Sequence, residues 1–183
     1  MNDFRTKARI LDVESIRKTL TRIAHEILEK HPAPDGIALV GIRSRGEFLA
    51  QRLAGFLKEM GRPEIPVGAL DITLYRDDIP NMEATPVVRA TEIPFDVTSR
   101  KIIIVDDVLY TGRTVRAAMD ALADLGRPAS IELAILVDRG HRQLPIRPDY
   151  VGKNVPTSQN QQVQVRLKEL DGIDEVLLEE DAA

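Results

Sequence analysis

The run Ile102-Ile103-Ile104-Val105 constrains the chain more than any other stretch. Four consecutive β-branched apolar residues leave no face for water, so they suit a strand covered on both sides, as in a parallel sheet between helices. Parallel strands need crossover connections, and helical patterns do flank this run, so the chain reads as an α/β fold with a central, mainly parallel sheet. The run stops at two carboxylates, Asp106 and Asp107. After Val108, Leu109 and Tyr110 come Thr111-Gly112-Arg113-Thr114, and then Val115 to Leu125, with Val115, Ala118, Met119, Leu122 and Leu125 at helical spacing.

That order of strand, acidic pair, hydroxyl-glycine loop and helix has a chemical meaning. The first turn of a helix has N–H groups without intrahelical partners and the positive end of the dipole, so a phosphate is stabilised there. Gly112 permits close approach of the backbone, and the hydroxyls of Thr111 and Thr114 add donors. Carboxylates next to a phosphate site repel it unless something lies between. A ribose does so when its 5'-phosphate rests on the loop and its 2'- and 3'-hydroxyls donate to Asp106 and Asp107. Asp106-Asp107 alone reads equally well as an acidic turn before a helix cap; the whole run is far more specific. It lacks the Gly-Lys-Ser/Thr ending of a P-loop, which argues against an ATPase.

The 183 residues suffice for one domain, taken as residues 1–183. With 43% apolar and 30% charged residues, the balance is that of a soluble globular protein. No apolar run approaches a membrane span, the first nine residues lack a signal-peptide core, and there is no cysteine, so a cytoplasmic location without disulfides or membrane is expected. A net charge of −4 confines any nucleic-acid binding to a local basic patch, and 4% aromatics with no tryptophan disfavour base-stacking platforms.

In chain order, Asp12 is placed to cap a helix running to about Lys30, with Val13, Ile16, Leu20, Ile23, Ile27 and Leu28 as its buried stripe. Lys18, Arg22 and His25 form a basic face that is equally a solvated one. After a turn over His31 to Gly36, Ile37 to Ile42 reads as a second buried strand. Arg43-Ser44-Arg45-Gly46 then precede a helix from about Glu47 to Met60, so guanidinium and hydroxyl groups stand at the strand's C-terminal edge, where open α/β sheets bind ligands. Paired phosphate oxygens suit them. Val67 to Leu74 reads as a strand, and about 75–90 as a long hairpin suited to serve as a lid. Ile131 to Val137 is another buried strand, ending near Arg139. Val151 to Thr157 reads as a short strand and turn, Val163 to Leu167 with Val176 to Leu178 as a closing hairpin, and Glu179 to Ala183 as a frayed acidic tail.

The run Val105 to Thr114 resembles the signature of the type I phosphoribosyltransferases, which use 5-phosphoribosyl-1-pyrophosphate (PRPP). From about Leu20 to Thr157 the chain is similar to one branch of them, the bifunctional pyrimidine operon regulators. The matching stretches are Thr21 to Glu26, Asp71 to Asp78, the central run, Val137 to Arg147 and Val151 to Thr157, with Ser44 where threonine is more usual. The resemblance implies the type I phosphoribosyltransferase fold, with a small hood and a flexible hairpin lid. It implies formation of UMP and pyrophosphate from uracil and PRPP, and uridine-nucleotide-dependent (UMP or UTP) binding of the pyr operon mRNA leader to lower biosynthetic gene expression. Asp106, Asp107 and Arg45 would be catalytic. PRPP or nucleotide would be held by Ser44, Arg45, Asp106, Asp107, Val108, Leu109, Tyr110, Thr111, Gly112, Arg113, Thr114 and Arg139. RNA would be met by Thr21, Arg22, His25, His141, Arg142 and Arg147. Mg2+ would arrive on substrate and water with no certain protein ligand, and a homodimer or higher homo-oligomer is expected. The competing readings are a purine phosphoribosyltransferase without an RNA role, and a purely regulatory nucleotide-sensing RNA binder with weak catalysis.

Overall fold

The computed structural model describes residues 4–33, 36–75 and 90–181. Strand β1 (Phe4–Leu11) leads into helix α1 (Val13–Lys30), followed by β2 (Ile37–Ile42), α2 (Arg45–Glu59) and β3 (Val67–Leu70). Then come β4 (Lys101–Leu109), α3 (Arg113–Leu125), β5 (Ser130–Asp138), β6 (Tyr150–Asn154), β7 (Gln161–Arg166), the short α4 (Lys168–Asp171) and β8 (Glu175–Asp181). Five strands form a parallel sheet in the order β3-β2-β4-β5-β6. β1, β8 and β7 form a separate antiparallel sheet, the hood.

The central strands are apolar on both faces because both faces are covered. Ile103 and Val105 pack with α1 and α2, while Ile102 and Ile104 pack with α3. Burying each such side chain contributes about 1.5–3 kcal/mol, which makes β2, β4 and β5 the anchor of the fold. Asp12 caps α1 as expected, its carboxylate accepting from the Ser15 amide at 2.8 Å. Val13 at 60% and Leu125 at 48% exposure stand outside the stripes assigned to them.

Several boundaries differ from the sequence reading. β4 does not stop at Asp106; it runs to Leu109, because β5 is equally long and pairs Val108 with Val137 and Leu109 with Asp138. β3 ends at Leu70 rather than Leu74. The Asp71 carboxylate accepts from the Thr73 amide and hydroxyl, turning the chain into one 3-10 turn, Thr73–Tyr75. α2 begins at Arg45, two residues before Glu47. The acidic tail is not frayed through Asp181, since β8 is paired on both sides. β1 was not anticipated. Of the lid at about 75–90, all but Tyr75 and Ala90 lies outside the described residues, as do Pro34 and Asp35 of the first turn and the last two residues of the tail. Ala69 and Glu92 form an isolated antiparallel bridge, which places Glu92 beside the β3 edge of the sheet. Among the described residues no helix is long and apolar enough to cross a membrane.

At the edge of the sheet where the strands begin, a polar cluster ties α1 to β5 and β6. Glu132 accepts from the Tyr150 hydroxyl at 2.6 Å and lies 3.0 Å from Nε2 of His31 and 3.1 Å from Nζ of Lys30. The residues assigned from the sequence to PRPP or nucleotide sit at the opposite edge.

Candidate nucleotide site

The C-terminal end of β4 carries Asp106, 7% exposed, and Asp107. Asp106 Oδ1 accepts from the Asp107 amide at 2.9 Å, and Asp107 Oδ1 from the Val108 amide at 2.8 Å. Burial pushes Asp106 well above the usual carboxylate range, and the adjoining charge of Asp107 adds to this. Asp107 is also raised by burial, against the pull of its backbone hydrogen bond and of the Arg45 guanidinium. Carboxylates so placed can accept hydroxyl donors or attract a cation.

Five residues beyond Asp107, Gly112 takes a φ of +93°, a conformation that L side chains rarely adopt. It stands at the cap position of α3 and brings no side chain of its own; the Thr111 hydroxyl accepts from the Arg113 amide at 3.3 Å, and a glycine-led helix start of this kind suits an anion. The loop from Tyr110 to Arg113 is stitched to the segment after β5. The Thr111 carbonyl accepts from the amides of Gln143 at 3.0 Å and Leu144 at 3.2 Å, and Arg113 Nε donates to the Gln143 side chain at 2.9 Å.

The second loop, Arg43 to Gly46, contains a cis peptide between Arg43 and Ser44 and is pressed against β4. A Cβ on Gly46 would lie 2.3 Å from the Val105 carbonyl oxygen, so only glycine lets α2 start there. The guanidinium of Arg45, assigned to pyrophosphate, contacts Asp171 in the hood through Nη2 at 3.0 and 3.2 Å, and its Nε is buried without a partner. Arg43 is paired with Glu47 and Glu92.

Arg139 is 8% exposed and acts as a strut. It donates to the Gln161 carbonyl and the Thr157 hydroxyl and lies 4.1 Å from the centre of the Tyr110 ring. Its contacts run from the hood to the Tyr110 loop. Next to it, a cleft of about 440 Å³ opens between the ends of β5 and β6, walled by Asp138, Arg139, His141, Asn154 and Thr157.

The residues assigned to RNA divide into two kinds. His25 and Arg147 are exposed. His141 is exposed with Nε2 2.6 Å from the Thr157 carbonyl oxygen. Arg22 is half-exposed, yet it pairs with Glu26 and donates to the Val151 and Gly152 carbonyls, fixing α1 to β6. The Thr21 hydroxyl donates to the Arg17 carbonyl. Arg142 turns inward, paired with Asp138 and donating to the carbonyls of Tyr110 at 2.8 Å and Ile146 at 3.0 Å. Sequence reasoning gave no role to Asp138, Gln143 or Asp171. The first two lay within recognised stretches, but nothing local to Asp171 marks it.

A phosphoribosyl transferase domain model matches residues 7–170. The chain is 59% identical over 178 residues to the Bifunctional protein PyrR of Pelotomaculum thermopropionicum, covering 97% of this chain and 98% of that protein. It is 58% identical over 172 residues to the Bifunctional protein PyrR of Deinococcus radiodurans, covering 94% of each. Among solved structures, a hypoxanthine phosphoribosyltransferase from Trypanosoma cruzi aligns with a TM-score of 0.72 at 17% identity, covering 94% of this chain and 95% of that one. The HGPRT-ase from Leishmania tarentolae in complex with GMP aligns at 0.70 and 18%, covering 94% and 96%. At such identities the likeness speaks for the fold, which is that of the type I enzymes. With a domain model over most of its length and relatives of equal span at more than half identity, the chain belongs to the phosphoribosyl transferase family, in the branch of the bifunctional PyrR proteins.

Proposed function

We propose that this chain makes UMP and pyrophosphate from uracil and PRPP, and that in its uridine-nucleotide-bound form it binds the leader of pyr operon mRNA and lowers expression of the pyrimidine genes. The observation that carries the enzymatic half is the placement of the buried Asp106 and half-buried Asp107 one short loop away from the glycine-led start of α3. The 5'-phosphate of PRPP rests on the amides of residues 111–114, with the hydroxyls of Thr111 and Thr114 as further donors. The ribose diol donates to Asp106 and Asp107, and Arg45 binds the pyrophosphate. Uracil occupies the cleft beside Arg139, whose walls offer the polar side chains of Asn154 and Thr157.

The C1'–oxygen bond breaks with its electron pair leaving on pyrophosphate, a C1'–nitrogen bond forms to uracil, and the uracil proton passes to solvent. Positive charge grows on the sugar during this exchange. The buried carboxylates stabilise it by being placed in advance, so none of them acts as a strong acid or base. Asp106 and Asp107 would suit the water shell of a magnesium ion arriving with PRPP, which would supply charge neutralisation for the leaving pyrophosphate.

The RNA half rests on the exposed His25, His141 and Arg147, with Arg22 and Arg142 shaping the surface beneath them. Association of two or more copies would enlarge this basic face, as an otherwise acidic chain requires. Turnover of PRPP with magnesium and uracil, guanine, hypoxanthine or orotate tests the first half; UMP should form, and preference for a purine would overturn the assignment. Mobility shifts of a pyr leader stem-loop with and without UMP test the second. Binding should tighten with UMP, and RNA affinity indifferent to nucleotide would remove the sensor.

A further inference from the structure

The hood is fastened to α2 by two arginines, seven residues apart and unlike in their surroundings. Arg52 is enclosed, 20% exposed, and holds two acids, Glu169 at 2.6 Å and Asp174 at 2.7 Å. Arg45 is more open, at 32%, and Asp171 is the one acid of the hood it holds, at 24% exposure. The Arg52 cluster docks the hood without help from Arg45. Asp171 also has a task of its own, since its Oδ2 accepts from the Leu167 amide at 2.8 Å and closes the α4 turn. The Arg45 contact adds little to either. It does occupy one guanidinium nitrogen, Nη2, with both carboxylate oxygens, at 3.0 and 3.2 Å, so that nitrogen is engaged where a phosphate oxygen would otherwise bind.

We propose that Asp171 is a resident counter-ion that occupies Arg45 until the pyrophosphate of PRPP displaces it, so that this hood acid sets the affinity for PRPP and pyrophosphate without touching sugar or base. The inference rests on the assignment of Arg45 to pyrophosphate made above. Asp171 is thus a positioning residue. When it lets go, the hood stays docked through Arg52, so the change is confined to one side chain and one short turn. A competitor bound part of the time lowers apparent affinity by the fraction of molecules left open.

Asp171→Asn removes the charge and keeps an oxygen for the Leu167 amide. It should lower both the KM for PRPP and the Kd for magnesium pyrophosphate about threefold, a size typical of half-exposed ion pairs, and leave the KM for uracil unchanged. Asp171→Glu should return both constants toward wild type. In an Arg45→Ala background the Asn substitution should have no effect, because the two residues form one cycle. Unchanged or raised constants in Asp171→Asn, or the same decrease without Arg45, would overturn the proposal. Pyrophosphate binding by calorimetry needs no uracil. A wild type that turns over no uracil while the pyrophosphate shift persists would sink the base assignment and support the counter-ion.

Discussion

Two glycines of the same helix give a matched test of how tightly α2 is set against the sheet. An added Cβ on Gly46 meets the Val105 carbonyl oxygen at 2.3 Å and the Asp106 Cα at 3.2 Å, both backbone atoms of β4. Ordinary contact begins near 3.4 Å, so the first turn of α2 must retreat by about 1 Å, and close-packed interiors have little slack for that. The obstacle is backbone and cannot rotate aside, which puts Gly46→Ala at the upper end of overpacking costs, about 3 kcal/mol. Gly55, nine residues on and exposed, has nothing within 4 Å, so Gly55→Ala gains the helix propensity of alanine, about 0.8–1 kcal/mol. For a chain of this size, 1 kcal/mol moves Tm by about 2–4 °C. Gly46→Ala should therefore melt roughly 6–12 °C lower and Gly55→Ala about 2–4 °C higher, with urea m-values unchanged. The displaced turn carries Ser44 and Arg45, so the KM for PRPP should rise in Gly46→Ala alone. A Gly46→Ala stability within about 0.5 kcal/mol of wild type, the range of neutral surface changes, would refute the account of that close approach.

Asp106→Asn should abolish most UMP synthesis, by about 10²–10³-fold in kcat, while stabilising the protein without ligand. The sign follows from burial, which raises the folded pKa above the unfolded one: the native state is penalised when Asp106 is ionised, and the penalty fades as pH falls through the folded pKa. The Asn variant's advantage in urea melts should thus be largest at alkaline pH and vanish below the ordinary carboxylate value; an advantage that grows on acidification would contradict this. Arg142→Ala should reduce UMP synthesis together with RNA binding and cost about 2–3 kcal/mol, since it leaves Asp138 and the Tyr110 and Ile146 carbonyls short of a donor. Intact turnover with lost RNA binding would instead make it a pure RNA contact. Glu132→Gln should cost about 1–2 kcal/mol at neutral pH. Burial raises the Glu132 pKa, but hydrogen bonds from His31, Tyr150 and Lys30 outweigh it and leave the pKa lowered, so the wild type's advantage should be lost as pH falls through that lowered value, as denaturant melts across acidic pH would show.

The parallel core was legible because each strand's own residues announce it: Ile102 to Val105 has no other comfortable place than between two covered faces. The geometry of the central loop was legible for a similar reason, since a glycine turn into a helix start is built from neighbours in sequence. β1 was hidden because Phe4 to Ile10 alternates charged with small and apolar residues and remains mostly exposed; its pairing with β8 defines it. The inward contacts of Arg142 were not legible because a basic loop residue looks the same in sequence whether it faces inward or outward. The Arg45–Asp171 contact spans 126 positions and has no local signature at all.

The Thr111 carbonyl serves two amides of the segment after β5, and that sharing restricts how the molecule can be re-engineered. Residues 110–113 and 139–147 form one graft unit, because the donors on one side are cut to the acceptors on the other. A chimaera that imports the later loop from a distant homologue and leaves the earlier one behind would strand hydrogen-bonding groups at the seam. Natural divergence faces the same bookkeeping, so changes on the two sides of the seam are expected to be inherited in pairs.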